Sequence, residues 1–405
     1  MNYKKYLLVE PNFPIPKNSR NHKDFLPIGL LKLASYLKSK GHEVKLIRLE
    51  KEFQNDIENF PFNPDRILIT SLFTYWAEHV KKAVDFCKDK FPDAKIIVGG
   101  VYASLQPGDC KKRTGCDEVF EGVCEEAEKC PPDYSLVNVD YQIIHASRGC
   151  IRKCPCCGVY DIEPKFVGKE SLKDLNISKR KLIFYDNNLL ANPHIENILN
   201  ELVELKKQRK ILNCESQSGF DGRVLQENPK LGDLLKKANF INPKIAWDGS
   251  YSDKNNIKKQ IDILTESGYK TKEISVFMIY NYNISFEEME QKRIQCWEWN
   301  VQIIDCRYRP LNKYYDRYNP YTKKPQTDKE YYIHDGWSDK LIREFRANIR
   351  KQNICVRQEV LYYSATIERK KIPKKEAIKY KSMSFEKAKK FVEDAWNPSV
   401  SYYNA

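Results

Sequence analysis

The chain has 405 residues, enough for two or three domains with sizeable cores. Hydrophobic residues make up 41% and aromatics 12%, which excludes a disordered chain, and no run approaches the ~18 apolar residues of a membrane span. The formal net charge of +14 allows an anionic substrate or nucleic acid as partner, although so Lys-, Asn-, Ile- and Tyr-rich a composition equally fits an AT-rich genome. The start, Met1-Asn2-Tyr3-Lys4-Lys5-Tyr6-Leu7, lacks the long apolar stretch of a signal peptide. Thirteen cysteines in such a chain point to a reducing cytoplasm, where clustered Cys read as metal ligands rather than disulfides.

Residues 6–9 read as a short apolar strand, closed off by Pro11, Pro14 and Pro16. A helix follows from Pro27, with Leu30, Leu33, Ala34 and Leu37 on one face and Gly41 as its C-terminal cap. Strands over 44–49, 66–71, 95–100 and 118–122 alternate with a helix over 78–91. Alternating apolar strands and helices predict an α/β, Rossmann-like, doubly wound parallel sheet over residues 1–138. Ligands of such sheets sit at the C-terminal strand ends. Those ends carry Asn12, Ser71, Phe73, Gly99, Gly100, Glu121 and Gly122. Cys110, Cys116, Cys124 and Cys130 are spaced without a close pair and read as free or packed thiols.

A strand over 141–146 leads into Ser147-Arg148-Gly149-Cys150-Ile151-Arg152-Lys153-Cys154-Pro155-Cys156-Cys157-Gly158. Three soft thiolates within eight residues suit an iron–sulfur cluster or zinc; buried packing cysteines are the plainer alternative. Beyond the loop, strands over 181–186, 211–216, 244–247, 273–280 and 302–307 alternate with helices over 193–208, 231–238, 255–267 and 286–300. If these strands close toward a barrel, its chemistry lies at their C-terminal ends. That rule selects Asp186, Asn187, Asn188, Glu215, Gln217, Asp248, Asn281, Asn283, Arg307 and Arg309. Each has a plain alternative as a turn or cap residue.

Residues 311–332, rich in Tyr, Pro, Lys and Asp, read as a loop over the barrel mouth. Ser338 caps a helix that turns Leu341, Ile342, Phe345 and Ile349 inward and Arg343, Arg346 and Arg350 outward as a basic stripe, by default a solvated face, with a phosphate or nucleic-acid contact as the sharper alternative. Arg357, Arg369, Lys370 and Lys371 extend the basic character; residues 380–405 hold one helical segment and no legible motif.

The Cys-x3-Cys-x2-Cys spacing with its Arg-Gly and Gly flanks resembles the radical S-adenosylmethionine (SAM) superfamily. The resemblance implies a [4Fe–4S] cluster on Cys150, Cys154 and Cys157 whose open iron chelates SAM, cleaved reductively to a 5′-deoxyadenosyl radical. It further implies a partial (β/α)6 barrel over 139–312, a mainly helical C-terminal segment over 313–405, and a reductant such as flavodoxin or ferredoxin. Cys156 stands where the family usually has an aromatic near the adenine. Asn187, Gln217 and Asp248 are the candidates for the other SAM contacts, with Asp186-Asn187-Asn188 in place of the usual Gly-Gly-Glu. The N-terminal domain, through Leu26-Pro27-Ile28-Gly29-Leu30-Leu31, Gly41-His42-Glu43-Val44, Val98-Gly99-Gly100-Val101-Tyr102-Ala103-Ser104 and Glu121-Gly122, resembles the cobalamin-binding subclass, without the Asp-x-His-x-x-Gly motif of a lower axial ligand. In that subclass the substrate radical takes a methyl group from methylcobalamin and a second SAM remethylates the cobalt, which implies methylation of an unactivated carbon. Other radical reactions (cyclisation, rearrangement, tRNA modification) and a non-catalytic iron–sulfur or zinc protein binding nucleic acid are the competing expectations.

Overall fold

The computed structural model describes residues 3–15, 26–49 and 62–358. Five strands, β1 (Lys5–Glu10), β2 (Glu43–Arg48), β3 (Arg66–Ser71), β4 (Lys95–Gly100) and β5 (Glu118–Val119), form one sheet in the order β2-β1-β3-β4-β5. All neighbours pair in parallel. The period of two along β1 sends alternate side chains to opposite faces. Tyr6 and Leu8 pack with Leu30, Ala34 and Leu37 of α1 (Ile28–Ser39), whereas Leu7 and Val9 pack with Val80, Val84 and Cys87 of α2 (Ala77–Lys90). Gly41, at φ +80, ends α1 as expected: its N–H and that of His42 return to the carbonyls of Lys38 and Leu37.

Two details differ from the expected pattern. The fifth strand is shorter than 118–122, because only Glu118 and Val119 pair with β4 before the chain turns at Gly122, φ +74. Between β4 and β5 lie two helices, α3 (Val101–Leu105) and α4 (Pro107–Thr114), the second opened by Pro107 in its first turn.

The second half begins with α5 (Glu125–Glu128), β6 (Tyr141–Ile144) and an antiparallel hairpin of β7 (Ser147–Arg148) and β8 (Val167–Gly168) enclosing α6 (Val159–Ile162). There follow β9 (Lys181–Phe184), α7 (Ile195–Lys207), β10 (Asn213–Ser216), α8 (Gly222–Glu227), α9 (Lys230–Lys237), β11 (Lys244–Ala246), α10 (Lys254–Glu266), β12 (Ser275–Tyr280), α11 (Phe286–Glu298), β13 (Gln302–Arg307) and α12 (Asp339–Gln358). Two three-stranded parallel sheets result, β10-β9-β6 and β11-β12-β13. Parallel bridges Cys214↔Phe240 and Phe220↔Ile245 join them at the β10–β11 seam. The strand order is therefore the chain order, and a single apolar core fills the space beneath, from Ile144 and Phe184 to Ile342 and Phe345.

At the seam, buried Lys244 donates to Glu215 at 2.9 Å and to the Ser216 carbonyl at 2.8 Å. Glu215, expected at the mouth, is thus occupied in joining strands. The basic stripe of α12 also departs from a solvated face. Arg343 is paired with Asp339 and donates to the carbonyls of Asn319 and Thr322, and Arg346 is paired with Asp305, so these two cations are drawn down onto the protein. Among the described residues no helix is long and apolar enough to cross a membrane. Pro16, Arg369, Lys370, Lys371 and the 380–405 stretch lie outside the described residues.

Candidate functional site

The cysteine loop springs from the C-terminal end of β6 and is tied down at both ends. Gly149, at φ +74, passes so close to the chain before β8 that a Cβ would stand 2.3 Å from the Lys165 carbonyl oxygen; only glycine fits there. Glu163 accepts from Arg148 and, at 2.6 Å, from the Gly149 N–H, clamping entry to exit. Buried Asp186, at the end of β9, accepts from both the N–H and the hydroxyl of Ser147 with one oxygen, while its other oxygen has no partner. Burial pushes its carboxyl up to about 6, against those hydrogen bonds.

Within the loop, the Cys157 N–H closes a turn on the Cys154 carbonyl at 3.0 Å, and the Arg152 N–H points at Cys150 Sγ at 3.4 Å. Cys150 and Cys156 are half-buried, Cys154 and Cys157 exposed. Desolvation raises the thiols of Cys154 and Cys157, and the neighbouring sulfurs raise them further. Among the described residues, no three His, Cys, Asp or Glu side chains are gathered tightly enough to hold one metal ion. Ligands of a single ion converge on one centre, whereas in a cubane each thiolate binds its own iron. Three soft sulfurs within eight residues, with an amide donor on Cys150, are by their chemistry the kind of donor set such a cluster takes.

The strand-end residues divide into those that face the loop and those already engaged. Asn187 reaches Glu163 at 3.5 Å, and Asn188 donates to Asp221 at 3.0 Å while leaving its buried oxygen unpartnered. Gln217 is half-buried beside them, its N–H on the Phe184 carbonyl. Asp248 is solvent-accessible and close enough to Cys154, Cys156 and Cys157 to raise all three thiols. Its own carboxyl is raised by desolvation, opposed by Lys292 and Arg223. By contrast Asn281, buried at φ +58, is used on the Tyr332 carbonyl and the His334 N–H, and Asn283 on the His334 ring. Arg307 and Arg309 converge on Asp316. These four act as struts.

Several neighbours of the loop carried no sequence signal. Asp221 caps α8 and also gathers Arg152, Arg223 and Asn188; burial raises its carboxyl, but these donors win and hold it below its ordinary value. Lys292, fully buried, donates to the carbonyls of Trp247 and Gly249, both at 2.8 Å, and so holds the turn carrying Asp248. Burial lowers its ammonium to about 8. Tyr282 and Tyr308, ring centroids 4.4 Å apart, stand near enough to Cys156 for its sulfur to raise both hydroxyls, after desolvation. Lys292 and the two tyrosines converge only through tertiary packing.

Across from the loop lies the C-terminal edge of the first sheet. Gly100, at φ +96, would place a Cβ 2.3 Å from the Ser71 carbonyl oxygen. Ser71 is buried, donating to the Gly99 carbonyl at 2.7 Å and accepting from Ala103 N–H at 3.1 Å, so it closes the β4–α3 turn from within. Ser104 Oγ accepts from the Gly122 N–H at 2.9 Å, and a Cβ on Gly122 would meet open space. Asn12 and Glu121 are exposed at the same edge, and the Asn12 carbonyl is hydrogen-bonded to His79. Phe73 stacks on Tyr75 at 4.9 Å and meets Trp76 edge-on at 5.0 Å. Side-chain-free turns next to an aromatic shelf fit a large flat macrocycle held by packing. Cys110 and Cys116 are buried in this domain's core, while Cys124 and Cys130 donate to Glu126.

A five-stranded parallel sheet in the order 2-1-3-4-5, with glycine turns after β4 and β5 and the first of them packed on the end of β3, defines an α/β ligand-binding domain of the doubly wound class. Residues 21–129 match the B12 binding domain, and that is the domain this sheet builds; cobalamin is the cofactor it supports. Eleven chains of solved structures match this chain. One is a cobalamin-binding protein from Desulfitobacterium hafniense DCB-2, 19% identical, covering 31% of this chain and 54% of that one with a TM-score of 0.22, so the chain spans about half the length of that protein. No curated protein matches the sequence.

Proposed function

We propose that the chain is a cobalamin-dependent radical SAM enzyme. Residues 1–138 form its B12-binding domain, 139–312 a partial (β/α)6 barrel and 313–405 a C-terminal segment. The supporting observation is the seat of the cysteine loop. Its last residue, Gly158, lies against Leu105 of α3, where a Cβ would come within 3.0 Å, so the loop borders the helix that follows the Gly99–Gly100 turn. A group held by the loop would therefore lie near one held on that turn.

Bound there, a [4Fe–4S] cluster with SAM supplies a carbon-centred oxidant, and cobalamin supplies a transferable methyl group. The chain's task is to hold and orient them. Cys150, Cys154 and Cys157 are the ligands. Asn187, Gln217 and Asp248 offer an amide, an amide and a carboxylate to the hydroxyl and amino-acid groups of SAM. Tyr282 and Tyr308 provide ring surface beside Cys156, where the family's aromatic is missing. The 311–332 segment helps exclude water: Tyr314 reaches Gln106 at 3.2 Å, and Arg309, just before the segment, lies over Tyr75, so the chain after β13 packs against the first sheet's domain. The reaction is methylation of an unactivated carbon, with a flavodoxin or ferredoxin as electron donor.

Anaerobic reconstitution tests this reading. The protein should take up iron and sulfide, retain a corrin absorbance, and release 5′-deoxyadenosine from SAM with dithionite. Cys154→Ala should lose iron and product together, while Cys156→Ala keeps its iron. Zinc uptake with no product would sink the proposal.

A further inference from the structure

α12, residues 318–325 and Asp305 of β13 wall an open trough of 1330 Å³ that none of the cysteine-loop residues lines. Small-molecule pockets measure roughly 300–1,000 Å³, so the trough has room for several linked units rather than one. Seven of its lining residues are Lys or Arg and two are Asp. The two carboxylates, Asp305 and Asp339, are already paired with Arg346 and Arg343. The surplus charge comes from elsewhere. Lys323, Lys324 and Lys340 line the trough, are exposed, and have no carboxylate partner among the described residues. Tyr321, at the same rim, is 89% exposed, an extreme value for a large aromatic side chain. Buried area does not explain a ring held in water beside three unpaired ammonium groups.

We propose that this trough binds a single-stranded polynucleotide, its phosphates along the three lysines and a base stacked on Tyr321. Mobile cations with an exposed ring are what a single strand requires, because every base has a π-face and the backbone charge is regular. Insertion of α12 into a duplex groove is disfavoured: Arg343 and Arg346, which would have to project from the helix, are pulled back onto Asp339 and Asp305. Neither the cluster nor the corrin takes part, so the inference stands apart from the proposed chemistry.

The test is fluorescence anisotropy of the full-length protein with a short labelled oligonucleotide, as single-stranded RNA, single-stranded DNA and duplex, over a salt series. Single strands should bind with a steep salt dependence, and the RNA and DNA arms tell which polymer is preferred. Replacing Lys323, Lys324 and Lys340 with Ala together should lower the slope of log affinity against log salt by about 2, at about 0.7 per lost phosphate contact. Counted against 1 M salt, that is roughly 50-fold weaker binding at about 0.15 M. Tyr321→Ala should weaken binding without changing the slope. Should the triple variant fail to fold, amine labelling of the wild-type protein replaces it: the oligonucleotide should protect these three lysines. An unchanged slope, no protection, preference for duplex, or equal competition by free phosphate or anionic lipid vesicles would overturn the proposal.

Discussion

Asp186 offers a test of how the cysteine loop is held. It accepts two hydrogen bonds from Ser147 through one oxygen and leaves the other bare and buried, and its carboxyl rises from 3.8 to about 6. Because the folded value lies above the unfolded one, the favourable state is the neutral acid. Stability is complete below pH ~4 and is lost as pH rises through 6. The full loss is about 3 kcal/mol, at 1.36 kcal/mol per pH unit. Asp186→Asn preserves the accepting oxygen and cannot ionise. Its amide replaces the unpartnered oxygen, much as the hydroxyl of the neutral acid does. Relative to wild type the variant should therefore gain on going from pH 5 to 7.5 by the part not yet lost, about 1.5 kcal/mol. Thermal melts of both proteins at the two pH values read this as a difference growing by roughly 3–6 °C. Subtracting the curves removes any pH effect common to both. A constant offset between the two proteins, or one that shrinks toward pH 7.5, would refute the reasoning.

Gly100→Ala should cost roughly 2–3 kcal/mol and abolish corrin retention, since its Cβ meets the Ser71 backbone at 2.3 Å with φ +96; Gly122→Ala, at φ +74 but facing open space, should cost about 1–2 kcal/mol in the same denaturation assay. Lys292→Met leaves the Trp247 and Gly249 carbonyls without a donor and should destabilise by about 2–4 kcal/mol. With the ammonium lowered to about 8, wild-type stability gains between pH 8 and 10.5 from release of that proton, a gain the Met variant should lack in pH-dependent melts.

The sequence by itself determined the element order, because apolar periodicity and glycine or proline stops are local properties. Helix α1 with its Gly41 cap, strands β1 to β4, and the alternation from β9 to β13 are all written in residue spacing. It also singled out Cys150, Cys154 and Cys157, whose close spacing on one loop is likewise a local property. Tertiary structure decided which polar residues were free to act. Glu215 and Asn281 have the same strand-end positions as Asp248, yet each is consumed by a partner distant in the chain: Lys244 and His334. Asp221 and Lys292 entered the site the same way, through partners 69 and 45 residues removed, such as Arg152 and Trp247. A side chain's type and local period specify what it can do. Burial and the long-range donors around it specify what it does, and those are fixed only when the strands are brought side by side.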